Sequence, residues 1–241
     1  MTTPSEEPAS KRTYDVLVED IEAGLRSGRF KIGDQLPGER ILAESYGISR
    51  ASVREAMRLL DAMGVLRSNN RSGPKSGAVI VSEPSAGLSA TLRLHIASSR
   101  LPVAEIVEAR ILLETWAART AAQHDDPAGI QRARELLEAM DAPDIEPEAF
   151  HALDAQFHLA LSALAGNTVI ETIMDSLRGS IRGYIKDALD ALGEWPVVLE
   201  QLRAHHHAIF DAVEAKDAER AAELLRSHIV WLYEQAANKA R

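Results

Sequence analysis

The chain runs to 241 residues with a formal net charge of -9 and contains no cysteine. That length supports one or two domains with a sizeable core, and the missing thiols exclude a disulfide framework or a thiolate metal site. No apolar run approaches the ~18 residues of a membrane span, and the opening MTTPSEEPASK lacks the basic-then-apolar plan of a signal peptide, so the expectation is a cytoplasmic chain with no membrane partner.

The charge is unevenly spread. Residues 11–82 hold 12 Lys+Arg against 9 Asp+Glu, whereas residues 83–241 hold 15 against 25. Attraction to phosphates depends on the face presented rather than on the molecular total, so a locally basic front is compatible with an acidic remainder. Residues 1–12 read as a disordered tail, residues 13–82 as a first domain and residues 83–241 as a second.

In the first domain, residues 36–66, LPGERILAESYGISRASVREAMRLLDAMGVL, read as two short helices joined by a tight turn. Ile41 and Leu42, then Val53, Met57, Leu60 and Met63 at helical spacing, are the expected small core. Gly47 supplies the turn and Ser49 is a natural N-cap for the next helix. From that start, Arg50, Arg54 and Arg58 recur every four residues and stay on the face opposite the apolar stripe. Helix-turn-helix readers meet base edges mainly through the first residues of the second helix, where arginine pairs bidentately with guanine. Arg50, Ser52 and Arg54 are the candidate contacts. The plain alternative is a helical hairpin with a solvated basic edge.

The segment after the second helix favours DNA. Val65-Leu66-Arg67, the polar loop SNNRSGPKSG and the run Ala78-Val79-Ile80-Val81 read as a two-stranded hairpin with a basic tip, a wing for an adjacent groove. Leu36-Pro37 with Glu39-Arg40, Ser49-Arg50, Val53-Arg54-Glu55-Ala56 and Gly64-Val65-Leu66 then fall in the order that resembles the winged helix-turn-helix of the GntR family of bacterial transcription regulators. That resemblance implies a DNA-contacting set of Arg40, Ser49, Arg50, Ser52 and Arg54, with Gly73 near the wing tip.

Beyond SEPSAG, a short linker at 82–87, amphipathic segments run over 86–98, 103–123, 127–139, 147–165, 168–191, 196–214 and 217–238, with Pro102, Pro127, Pro147 and Pro196 near helix starts. No strand alternation survives there. The fold class is therefore mainly α: a winged helix-turn-helix followed by an all-α bundle.

Bundle interiors bring side chains from different helices together. Asp154 and His158 lie one turn apart, and His228 falls in the stripe Ala221, Leu225, His228, Leu232. In the triplet His205-His206-His207, stepping ~100° per residue from the apolar set Trp195, Val198, Leu199, Leu202, Ile209, Phe210 and Val213 turns His206 inward, leaves His205 marginal and puts His207 outside. Three imidazoles and a carboxylate suit a divalent metal, Zn first, with Ni, Mn or Fe as alternatives. The competing reading is a set of core histidines satisfied by neighbours, with Asp154 a cap or surface acid. His151, one turn before Asp154, reads as surface.

The second half resembles the FCD effector domain of the FadR branch of the same family, whose metal-binding members carry Asp-x-x-x-His and two later histidines on separate helices; here these are DAQFH at 154–158, His206 and His228. The resemblance implies Asp154, His158, His206 and His228 as ligands, with His205 standing where many relatives carry an acid. EARILLE at 108–114 resembles the helix whose arginine approaches the effector cavity, which makes Arg110 a candidate for an effector carboxylate; a salt bridge to Glu114 or Glu171 is the alternative. Asn167 is either a polar cavity group or, in preference, a helix C-cap.

The combined expectation is a transcription regulator, a repressor in preference to an activator. It works as a homodimer on a near-palindromic double-stranded operator and is controlled by a small organic acid at the metal-containing cavity. A metal-dependent hydrolase fused to a DNA-binding domain is the rival reading.

Overall fold

The computed structural model describes residues 13–68, 77–191 and 195–239. Two compact units divide at Gly87/Leu88, each with its own core.

In the first unit α1 (Asp15–Ser27), α2 (Glu39–Tyr46) and α3 (Arg50–Ala62) precede an antiparallel pair, β1 (Leu66–Ser68) and β2 (Ala78–Ile80), in register Leu66↔Ile80. Gly47 ends α2 in the left-handed region at φ 63°, and Ser49 starts α3 by accepting from the Ser52 amide at 3.0 Å. Leu17 and Ile21 of α1 meet Leu42, Val53, Ala56, Leu60, Leu66 and Ile80 in one apolar cluster. The expected core needs correction at Ile41 and Met63, which are 48% and 52% exposed. Burial of Leu42 and Ala43 turns Ile41 about 100° away, and Met63 follows the last turn of α3 as its C-cap. Gly64 is left-handed at φ 72°, and a Cβ there would collide with the Glu83 carbonyl, so the chain leaves the hairpin against a position only glycine fits. The segment at 33–36 pairs with β2 through Leu36 N to Ala78 O at 2.8 Å and Ile80 N to Asp34 O at 2.9 Å, which covers a hairpin edge. Gly73 lies outside the described residues.

Helix α4 (Pro84–Ala97) begins inside the expected linker, and the division at Gly87/Leu88 falls within it instead of at 82/83. The second unit continues with α5 (Val103–Ala121), α6 (Pro127–Met140), α7 (Pro147–Ala163), α8 (Thr168–Ser180), α9 (Arg182–Ala191), α10 (Trp195–Glu214) and α11 (Ala218–Lys239). The helix expected over 168–191 is two helices. Ile181 breaks it at φ -108°, ψ 11°, and its side chain is buried in a satellite core with Ile106 and Leu177. Ala118 and Ala121 of α5 share the main cluster with Ala221 and Leu225 of α11, and small residues of this kind let helix backbones approach closely. Among the described residues no helix is long and apolar enough to cross a membrane.

Candidate functional site

Helix α7 carries Asp154 and His158 one turn apart, α10 carries His206 and α11 carries His228, and one ligand-type atom from each lies within 4.8 Å of the others. The triplet resolves as its phase predicts: His206 is buried, His205 half-buried and His207 exposed. His158 Nε2, both ring nitrogens of His206 and His228 Nδ1 are buried without hydrogen-bond partners. Asp154 Oδ1 stands 3.0 Å from His206 Nε2 and 3.6 Å from His158 Nε2. The groups lie side by side without being aligned as hydrogen bonds. A buried polar atom left unpaired costs ~1–3 kcal/mol, so several together call for a common partner. Three imidazoles and a carboxylate are a donor set that fits a borderline divalent cation.

The surrounding charges hold that set in place. Glu114 on α5, 1% exposed, accepts from His158 Nδ1 through Oε2 and from Arg110 Nε through Oε1, both at 2.8 Å. A carboxylate on Nδ1 fixes that proton and directs the Nε2 lone pair into the cluster. Arg178 on α8 donates from Nη2 to Asp154 Oδ2 at 2.6 Å. Burial alone would raise the Asp154 carboxyl, but Arg178, His158 and His206 outweigh it and hold it well below the usual range. Glu114 is likewise lowered, since Arg110, His158 and Arg178 overcome its burial. Burial and the Arg178 charge push His158 down to about 4, and burial with neighbouring imidazoles pushes His228 down. His158 and His228 are therefore neutral near pH 7, the state in which imidazole binds metal.

Other candidates fall differently. Arg110 is buried and tied to Glu114 on its own helix, in the salt bridge that was the alternative to an effector contact. Asn167 is exposed and accepts from the Val169 and Ile170 amides at 3.1 Å; it is the N-cap of α8, neither a cavity group nor a C-cap. The preceding Gly166, at φ 69°, already turns the chain out of α7, which leaves Asn167 to start the next helix. His151 is half-buried against Phe150 and Trp195 instead of lying on the surface. The sequence reading missed Arg178, and it named Glu114 only as a possible partner. The available signal was phase, because Arg178 is one turn from Met174 and shares the buried side of α8, while Glu114 lies between Val107 and Ala118 on the buried side of α5.

On the first unit Arg40, Ser49, Arg50 and Arg54 are exposed and Ser52 is half-buried, all at or near the starts of α2 and α3. Arg54 forks onto Glu39 through Nε at 3.2 Å and Nη2 at 2.8 Å, while Arg40 reaches Glu44 at 2.8 Å. Glu39 thereby holds the Arg54 side chain across the two helices. Arg54 keeps its charge, raised further by that acid.

A winged helix-turn-helix with exposed arginines at its reading helix, followed by a helical unit with interior ligand-type side chains, is the layout of a DNA-binding transcription regulator. Residues 13–75 match the bacterial regulatory proteins of the gntR family, and residues 105–230 match the FCD domain. The chain belongs to the gntR-family transcription regulators that carry an FCD domain. It is 29% identical over 226 residues to the HTH-type transcriptional repressor NanR of Escherichia coli K12, covering 92% of this chain and 83% of that protein. It is 27% identical over 206 residues to the HTH-type transcriptional regulator LutR of Bacillus subtilis 168, covering 85% and 92%. In fold it is similar to a Streptococcus agalactiae GntR structure, with a TM-score of 0.62 at 24% identity over 91% of this chain and 97% of that one. These relatives are transcription regulators and not enzymes, and the rival hydrolase reading finds no support among them.

Proposed function

We propose that this regulator acts as a homodimeric repressor on a near-palindromic double-stranded operator, and that a small organic acid bound at a divalent metal in its helical unit sets operator affinity. Within residues 13–82, Arg40, Ser49, Arg50, Ser52, Arg54 and Gly73 meet the DNA. Within residues 83–241, Asp154, His158, His206 and His228 hold the metal, Zn2+ foremost, with Ni2+, Mn2+ or Fe2+ as alternatives. Arg110 acts from behind, through Glu114. A cytoplasmic location follows from the DNA partner.

The observation that carries this reading is the convergence of four ligand-type atoms within 4.8 Å in a buried interior. When bound, the metal supplies a Lewis-acid position for a ligand oxygen. A near relative that is named a repressor supports the direction of control. The residues around the site do the rest: Glu114 orients His158, Arg178 holds Asp154, and the buried helices exclude water. A ligand shifts DNA affinity only by binding the two states of the protein unequally.

The test is fluorescence anisotropy of the full chain on an operator selected from random duplex DNA, with and without EDTA, Zn2+ and a panel of small carboxylic acids. The expected result is a ~5–150-fold change of operator Kd by at least one acid in the presence of Zn2+. Affinity indifferent to both metal and acids overturns the reading.

A further inference from the structure

The four grouped ligand-type side chains leave out His205, whose ring packs edge-on between His228 and Trp231 at centroid distances of 5.6 and 5.1 Å. Its Nδ1 is buried without a hydrogen-bond partner among the described residues. The imidazoles form a continuous file: His205 touches His228, and His228 lies 4.8 Å from the His206 ring and 5.1 Å from that of His158. Burial is graded along it, since His158, His206 and His228 are buried and His205 is half-buried.

A dication enters such an interior only by trading its waters for protein donors, because an unpaired charge is very costly out of water. The one partly exposed member of the four is Asp154, whose side chain is 16% exposed. An ion arriving there meets the Arg178 guanidinium, which sits 2.6 Å from Asp154 Oδ2, and like charges repel. At His205 it meets an imidazole lone pair instead. We propose that His205 is the capture ligand of the metal site: it takes the incoming cation from water and passes it to His228, without holding it in the final complex. The inference rests on the interior metal of the proposed function and adds the route by which that metal arrives. The same route runs in both directions, so His205 sets the rates of uptake and release together and leaves the equilibrium where it is.

The test is stopped-flow mixing of the metal-free full chain with Co2+, read by the visible absorption of the bound ion, then release of Co2+ into excess EDTA, with Kd from an equilibrium titration. His205→Phe keeps a ring between His228 and Trp231 but removes the donor. It is expected to slow uptake and release alike by about tenfold, a barrier rise with no change of Kd. His205→Glu, whose carboxylate is again a metal ligand, is expected to restore fast uptake. Should the phenylalanine variant fail to fold by circular dichroism, His205→Leu takes its place. Unchanged rates in His205→Phe reduce His205 to packing and overturn the inference. A raised Kd with unchanged uptake makes it a ligand of the bound ion and overturns the inference as well. Both results leave the proposed function standing, whereas no Co2+ uptake by the wild type removes the metal site and the proposed function with it.

Discussion

The reading head and the interior cluster use charge in opposite ways. On α2 and α3 the arginines are exposed and placed by short-range rules of capping and phase. In the helical unit, the charged groups on α5, α7 and α8 are drawn out of water and are tolerable only because Glu114, Asp154, Arg110, Arg178 and His158 pair with one another. Exposed pairs such as Arg26–Glu22 contribute little to stability, whereas removing one partner from a buried network leaves an uncompensated charge. The head thus presents its charges to solvent, whereas the buried charges of the interior balance one another.

The contrast breaks hardest at Glu114. Glu114→Ala strands Arg110 and Arg178 together and is expected to destabilise the helical unit by ~3–5 kcal/mol. Urea unfolding followed by tryptophan fluorescence measures this cleanly, because Trp116, Trp195 and Trp231, the chain's 3 tryptophans, all lie in the second unit. Arg40→Ala, by contrast, removes an exposed partner of Glu44 and is expected to leave that unfolding curve unchanged.

Acid sharpens the contrast. His158 has its folded pKa lowered from 6.5 to about 4, so between those values the unfolded chain binds a proton the folded chain refuses. Stability therefore falls as pH drops from about 6.5 towards 4 and is fully present above that window; the lowered Asp154 and Glu114 add a further loss in stronger acid. The tryptophan-monitored thermal midpoint of the metal-free chain is expected to decline through this range. A flat midpoint would contradict a buried, neutral His158.

On the reading head the effects are expected in binding. Arg50→Ala should weaken operator binding by ~1–3 kcal/mol if the side chain reads a base, measured by anisotropy at fixed salt, with the tryptophan midpoint unmoved. Smallest is Ser49→Ala, which removes the cap of α3 and should cost ~1 kcal/mol of head stability, visible in circular dichroism of the full chain.

The same division explains what the sequence made legible. Gly47, Ser49 and the hairpin follow from local chemistry, and the class of the second half follows from helical periodicity. The inward turn of His206 was readable because seven apolar neighbours on α10 set its phase. The break at Ile181 was not, because a buried isoleucine gives no local stop signal and its reason is packing against Ile106, far away in the chain. Asn167 was assigned to the wrong helix end, since a Gly-Asn pair is compatible with closing one helix or opening the next. Arg178 escaped notice for a related reason: it pairs with Asp154, 24 residues earlier, and a lone arginine on a helix reads as solvated until its partner is known. Glu114 and His158 are 44 residues apart, and no spacing rule joins them.

The most direct test of the interior metal site is a calorimetric Zn2+ titration of the EDTA-stripped full chain beside its His206→Ala variant. Saturation at a single ion per chain is expected in the wild type, and a loss of affinity of about a hundredfold or more in the variant, with the fold retained by circular dichroism. No uptake by the wild type, or equal uptake by both, would contradict a metal held by Asp154, His158, His206 and His228.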